Sequence, residues 1–175
     1  TIDILGWNLC ADHDGEELNT LFAISEHFTD FNIENTDTQN SSELEEQLNY
    51  KDLFLVYEPE YIYGDNCDWD GDFSFASSVL EEFVENGGGI IFLGAVVDDS
   101  DFGYGISSNY FSTSGLLDAN DGVNETDGTV TLIDEHPITE GVTSSFVGES
   151  GFYPVDITDV DASVLAISTS SFDAV

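Results

Sequence analysis

Oxygen-bearing side chains alternate along residues 66–72, which read Asn-Cys-Asp-Trp-Asp-Gly-Asp. Oxygen ligands at every second position, followed by a glycine that allows a tight bend, resemble the first half of a calcium-binding loop. The match is partial, because an asparagine stands in the first position and Ser77 stands where a closing bidentate glutamate is expected. A calcium site and a solvated acidic loop therefore both stay open. The candidate ligands in this loop are Asn66, Asp68, Asp70 and Asp72.

More carboxylates follow the first and fourth predicted strands. The carboxyl ends of parallel strands meet at one edge of a sheet, so these side chains are expected beside the acidic loop. Oxygen-only ligands suit calcium and, less readily, magnesium. Calcium is therefore the predicted cofactor of this acidic edge. The additional candidate ligands are Asp12, Asp14, Asp98 and Asp99.

The two cysteines follow the first and third predicted strands, at Cys10 and Cys67. These strands are neighbours in a flavodoxin-like order, so the two thiols could meet in a disulfide that ties the acidic edge together. Two unrelated buried thiols are the alternative. The disulfide is the favoured interpretation if the protein is exported.

Residues 10–14, Cys-Ala-Asp-His-Asp, combine a thiol, an imidazole and carboxylates. Such a set could bind a transition metal or supply a nucleophile. A strand-to-helix loop is the favoured interpretation, because Asp14 and Glu17 have the spacing of a capping box at the start of a helix. Aromatic residues in the loops of the same edge could stack on a sugar or only hold the loops to the body; they are Tyr61, Tyr63, Trp69, Tyr104 and Tyr110.

Charge is the dominant property of the composition. Among 175 residues, 37 are acidic and one is basic, Lys51, so the formal net charge is -36. Such a surface repels nucleic acid and anionic lipid, and it attracts cations. Apolar residues nevertheless make up 41% of the chain, which is enough for a folded core. No apolar run is long enough to cross a bilayer, so direct membrane insertion is not expected.

An acidic surface has two ordinary explanations, a salt-rich cytoplasm and export into a cation-rich medium. The even number of cysteines and a first strand that begins at Ile2 without a preceding methionine favour export. Residues 1–175 are therefore predicted to form a single domain, a module of a longer secreted polypeptide that is extracellular or at the cell surface.

Strands and helices alternate through the first hundred residues, which predicts parallel strands joined by right-handed crossovers. The fold expected is a three-layer, flavodoxin-like α/β sheet with helices on both faces, followed by a looser β-rich part. Predicted strands cover 2–7, 31–35, 52–57, 90–96, 129–133, 152–157 and 163–167. A short helix is predicted within 107–117 and an exposed loop over 118–128.

The segment Leu80–Gly94, L-x-x-F-V-x-x-G-G-G-I-I-F-L-G, resembles the helix-to-strand segment of class I glutamine-amidotransferase-like domains, including the ThuA-like branch. The turn His136–Val142, HPITEGV, resembles one common in ThuA-like domains. Catalytic members of that family carry a cysteine at a sharp strand-to-helix turn, where this chain has Ala95 and Val96. The resemblance therefore implies a degenerate, non-catalytic member.

Two functions from different classes follow from these observations. The first is a non-catalytic structural or interaction module of a surface layer, adhesin or filament, whose partners are copies of itself or other surface proteins. The second is a metal-dependent enzyme or a carbohydrate-binding domain that uses the acidic edge, where pairs of carboxylates could act as acid and base.

Overall fold

A computed structural model of the chain describes residues 1–11, 13–57, 72–93, 112–117, 119–120, 129–147, 156–157 and 164–168. The described residues divide between two compact units, Thr1–Ala95 with Thr113–Leu116, and Val96–Ser112 with Leu117–Val175. The single domain expected from the sequence stays a prediction. Among the described residues, no helix combines the length and the apolar character that crossing a membrane requires.

The first unit is built on a four-stranded parallel sheet in the order β2-β1-β3-β4. The strands are β1 (Ile2–Trp7), β2 (Phe31–Thr36), β3 (Leu53–Val56) and β4 (Gly89–Phe92). The predicted α/β class, the first three strands and the pairing of the first strand with the third are confirmed. The fourth predicted strand, 90–96, is confirmed over 90–92, and 94–96 lie outside the described residues.

Three helices connect these strands: α1 (Glu16–His27), α2 (Ser41–Leu48) and α3 (Ser77–Glu85). The predicted start of α2 at a Ser42–Glu45 capping box is wrong. Asn40 is the N-cap, and its side-chain oxygen accepts a hydrogen bond from the Glu43 amide at 3.1 Å. An asparagine that precedes the helix satisfies one of its free amides, so the helix begins at Ser41.

Residues on both faces of β3 are buried, as expected for a parallel sheet covered on each side. Phe54 is fully buried against Trp7 and Phe73, with ring centroids 6.3 Å and 6.2 Å away. Leu55, the next residue of β3, belongs to a second cluster with Ile4, which Ile24 of α1 also contacts. The apolar run that predicted a buried strand is therefore explained by its alternating contacts.

The glycine run after α3 ends the helix, as predicted. Gly87 has φ +96°, a left-handed conformation that glycine adopts without steric cost. At Gly88 a side chain would overlap the Phe83 ring. The chain therefore passes directly from α3 into β4.

The second unit holds short antiparallel pairs. β6 (Thr129–Leu132) lies between β7 (Ser145–Val147) and β9 (Ala166–Ser168), and β5 (Ala119–Asn120) pairs with β8 (Asp156–Ile157). One 3-10 turn, Pro137–Thr139, follows β6.

The predicted strand at 129–133 is confirmed. The predicted loop over 118–128 is wrong at 119–120, where the backbone pairs with β8. The strand β7 was not predicted, because three residues are too short for a period-2 pattern to be recognised. Residues 112–114 are helical, within the helix predicted over 107–117, and 107–111 lie outside the described residues.

Candidate functional site

A buried carboxylate lies at the carboxyl edge of the parallel sheet. Glu17, in the first turn of α1, is 8% exposed. Asn35 reaches it from β2 and His13 from the loop after β1. Tyr57, which follows β3, completes the group. These four residues are called the edge network below.

The strand register places the members of the edge network together. Asn35 of β2 pairs with Gly6 of β1, and the Tyr57 amide donates to the Trp7 carbonyl at 3.1 Å. Asn35 and Tyr57 therefore come from the two strands that neighbour β1, and both side chains lie close to Gly6.

Hydrogen bonds engage both oxygens of the Glu17 carboxylate. His13 Nδ1 lies 2.5 Å from Glu17 Oε2, and Asn35 Nδ2 donates to Glu17 Oε1 at 2.6 Å. The Tyr57 hydroxyl donates to Asn35 Oδ1 at 3.4 Å, a long bond. A carboxylate this far from water is stabilised by such donors, because an unpaired buried charge is costly.

Gly6 leaves the space that the edge network occupies. A Cβ at this position would overlap Asn35 Oδ1 and lie 2.7 Å from Tyr57 Cε2. A glycine inside a strand often marks such a close approach. Any larger residue would have to displace the two side chains that meet above β1.

The electrostatics of the edge network follow from its burial. Loss of water around the phenol raises the pKa of Tyr57 well above the ordinary tyrosine value, and the nearby Glu17 charge raises it further. Tyr57 therefore stays protonated and acts as a donor. The His13 side chain is 65% exposed, so the imidazole connects the buried carboxylate with solvent.

A histidine oriented by a carboxylate is an arrangement that proton transfer uses. A carboxylate oxygen accepts, so His13 Nδ1–H donates to Glu17 Oε2, and the hydrogen bond fixes the orientation of the ring. The His13–Glu17 pair is therefore the feature of the described edge that an acid–base reaction would use.

The sequence-based interpretation of Glu17 is wrong. The expected capping box with Asp14 does not form, because the N-cap of α1 is Gly15 and no side chain caps the helix. Glu17 turns inward to His13 and Asn35 instead. The sequence contained one usable signal, the isolated glycine in the middle of an apolar strand.

Of the predicted metal ligands, only Asp14 and Asp72 are described; Asn66, Asp68, Asp70, Asp12, Asp98 and Asp99 lie outside the described residues. Asp72 Oδ1 accepts a hydrogen bond from the Ser74 amide at 2.7 Å, which shapes the turn before α3. Within the described ranges, no group of three or more histidine, cysteine or acidic side chains is placed to hold a metal ion. The calcium site therefore stays a prediction.

Cys10 follows β1 with φ 65°, and its expected partner Cys67 lies outside the described residues, so the disulfide stays a prediction. Ala95 and Val96 lie outside them too, as do the loop aromatics Tyr61, Tyr63, Trp69, Tyr104 and Tyr110. His136 lies in the second unit, beside an open cavity of about 890 Å³.

Comparison with known proteins gave no match to a protein-family model, to a curated protein or to a solved structure.

Proposed function

We propose that the chain is a non-catalytic interaction module of an extracellular or cell-surface assembly, such as a surface layer, an adhesin or a filament, and that cations stabilise it. The observation that carries this proposal is the apolar surface that α1 presents to solvent. The charge of the chain and the closed edge network support it.

The apolar surface of α1 consists of Leu18 and Phe22, which lie one turn apart on the same side of the helix. Their exposed fractions are 54% and 64%. Glu17 and Ile24 occupy the opposite side, against the sheet. Two large apolar side chains in solvent gain roughly 1–2 kcal/mol each when an interface covers them.

The charge determines when such an interface can form. Two copies that each carry a net charge of -36 repel one another in dilute salt. Repulsion between exposed charges falls off over about 10 Å at 0.1 M ionic strength, and bound calcium would neutralise carboxylates directly. Assembly is therefore expected to require salt or calcium.

The edge network supports a non-catalytic role. Both oxygens of Glu17 are occupied by His13 and Asn35, so the carboxylate ties the loop after β1 to β2 and α1. A polar network whose members satisfy one another makes local structure rigid. We interpret the edge network as such a structural contact.

The proposal also covers the arrangement of helices and sheet beyond the α/β class. We propose a three-layer, flavodoxin-like fold, supported by the order β2-β1-β3-β4, which begins as the flavodoxin-like order does. We also propose that the chain is a degenerate ThuA-like domain of the class I glutamine-amidotransferase type. The helix stop at Gly87, followed at once by β4, supports this part.

The proposed function is tested by association in solution. Sedimentation velocity is measured for the wild-type chain and for a Leu18→Ser/Phe22→Ser variant, in dilute buffer, in high salt and in calcium. We expect the wild type to associate only in salt or calcium and the variant to stay monomeric with an unchanged melting temperature. Val84→Ser is the matched control, since Val84 is 43% exposed on α3. A variant that associates like the wild type would contradict the proposal.

A second candidate function is an enzyme or a carbohydrate-binding domain at the same edge. The exposed His13 imidazole, held by the buried Glu17, is the observation that favours the enzyme. A hydrolytic activity that is lost in His13→Ala, while association in salt is unchanged, would favour this candidate over the first.

A further inference from the structure

A groove of about 240 Å³ lies between the C-terminal ends of α2 and α3, away from the edge network. Two exposed glutamates, one from each helix, line it with the residues that follow the helices. The lining includes Glu45, Glu82, Asn49, Asn86, Tyr50 and Lys51. The volume is below the 300–1,000 Å³ of pockets for drug-sized ligands and suits one long side chain.

The electrostatics of the groove favour a positive ligand. Both helices end there, and neither has a basic residue in its last turn to offset the partial negative charge of its C-terminal end. Glu45 and Glu82 add two carboxylates. Lys51, the single basic side chain of the sequence, is 12% exposed and forms an ion pair with Glu34 at 2.7 Å. The lysine charge is therefore already compensated by Glu34.

Tyr50 is an aromatic side chain at a position that suits glycine or asparagine. Its φ is 70°, in the left-handed region, directly after the C-cap Asn49 of α2. Its exposed fraction is 92%, so the ring buries almost no surface within this chain. A strained residue that contributes no packing suggests a role toward something outside the chain.

We propose that this groove binds one cationic side chain, an arginine or a lysine, of a partner protein, with the Tyr50 ring stacked on the cation and Glu45 and Glu82 paired with it. An aromatic face beside carboxylates attracts such cations by cation–π and ionic interactions. A second copy of these 175 residues offers no arginine, and its one lysine pairs with Glu34. Residues 1–175 of a second copy therefore do not supply this cation, and the partner is a protein segment that carries an accessible arginine or lysine. This inference rests on the proposed function, because it names the chemistry of a partner.

The test uses capped arginine, N-acetyl-arginine amide, as the probe and capped citrulline as its uncharged analogue. Binding is followed by NMR, through the backbone amides of Asn49, Lys51 and Asn86, at constant ionic strength. We expect the arginine probe to shift these signals and to bind at least about twofold to fivefold more tightly than the citrulline probe. The citrulline probe tests whether the groove recognises the charge.

Two variants and one control separate specific binding from general attraction to an acidic protein. Tyr50→Asn and Glu82→Gln should each weaken arginine binding by about twofold to fivefold. Glu26→Gln, which removes one exposed charge from α1, should leave binding unchanged. Tyr50→Asn should also unfold at the same or a higher urea concentration, since asparagine tolerates φ 70° better than tyrosine.

The outcomes have distinct meanings. Equal binding of arginine and citrulline, or equal loss in Glu26→Gln and Glu82→Gln, would overturn the inference. Shifts confined to signals outside the groove would overturn it as well. Association of the wild-type chain in salt is measured in a separate experiment. If the chain does not associate, the proposed function fails, while arginine binding in the groove still decides the inference drawn here.

Discussion

Replacing Gly6 with alanine should destabilise the protein more than the same replacement at Gly89, the other glycine described in the parallel sheet. The new Cβ would overlap Asn35 Oδ1 and lie 2.7 Å from Tyr57 Cε2 and 3.1 Å from the Tyr57 hydroxyl. Both approaches are shorter than real Cβ contacts, so the buried Tyr57 ring and the Asn35 side chain must both shift. The Asn35 amide, the end of a flexible side chain, lies nearest and moves first. Its movement would remove the donor that serves Glu17 Oε1.

The magnitude follows from two costs. Overpacking in a well-filled site costs about 1–3 kcal/mol, and leaving a buried acceptor without its donor costs about 1–3 kcal/mol. A single movement of Asn35 relieves the overlap and breaks the hydrogen bond, so the two costs do not add in full, and we expect a total loss of about 2–4 kcal/mol. For a chain of this length the melting temperature should fall by roughly 5–15 °C.

Urea denaturation at fixed salt measures this loss from the shift of the midpoint at constant slope. Gly89→Ala in β4 is the matched control, because the nearest side-chain atom to its Cβ is Leu53 Cδ1 at 3.3 Å. In an Asn35→Ala background, Gly6→Ala should cost less, since the first clash is gone. A loss below about 1 kcal/mol, or equal losses in both backgrounds, would refute the packing of the edge network.

Three further predictions concern titration, cations and the cysteines. Burial and the Glu17 charge raise the pKa of Tyr57 in the folded state, so the protonated phenol stabilises the fold fully below the unfolded pKa of about 10, and this stabilisation is lost as pH rises through the folded pKa. In Tyr57→Phe, the urea midpoint should therefore decline less at alkaline pH than in the wild type. Low-millimolar calcium should raise the melting temperature beyond sodium at equal ionic strength, and Asp68→Asn/Asp70→Asn should remove most of the excess; identical curves would contradict a calcium site. Non-reduced protein should be two hydrogens lighter than reduced protein by mass spectrometry, and two titratable thiols in the native chain would exclude a Cys10–Cys67 bridge.

The strands of the first unit could be predicted because apolar residues recur between polar turns, continuously in β3 and at alternate positions at the start of β2. Residues 53–56 form such a run, and alternate side chains are buried on opposite faces. The helix starts were less predictable, because a capping pattern competes with tertiary contacts. Ser42 fits the pattern before Glu45, yet Asn40 caps α2; Glu17 fits it after Asp14, yet Glu17 binds Asn35 across the sheet edge.

The edge network could not be predicted because its members are far apart in sequence. Asn35 lies eighteen residues from Glu17 and 22 from Tyr57, and each looks ordinary in its own segment. Their contact depends on strand order and register, which place Asn35 beside Gly6. The groove depends in the same way on where α2 and α3 end relative to each other, and Tyr50 is recognised only from its backbone angle and exposure.

The most direct test of the interaction module is solvent access to α1 during assembly. Hydroxyl-radical footprinting with peptide mass spectrometry measures the oxidation of Leu18 and Phe22 in dilute buffer and in the salt or calcium that promotes association. Both side chains are more than half exposed in the free chain, at 54% and 64%. We predict strong oxidation in the monomer and a several-fold decrease on assembly. Oxidation that stays equal in monomer and assembly would contradict the role assigned to α1.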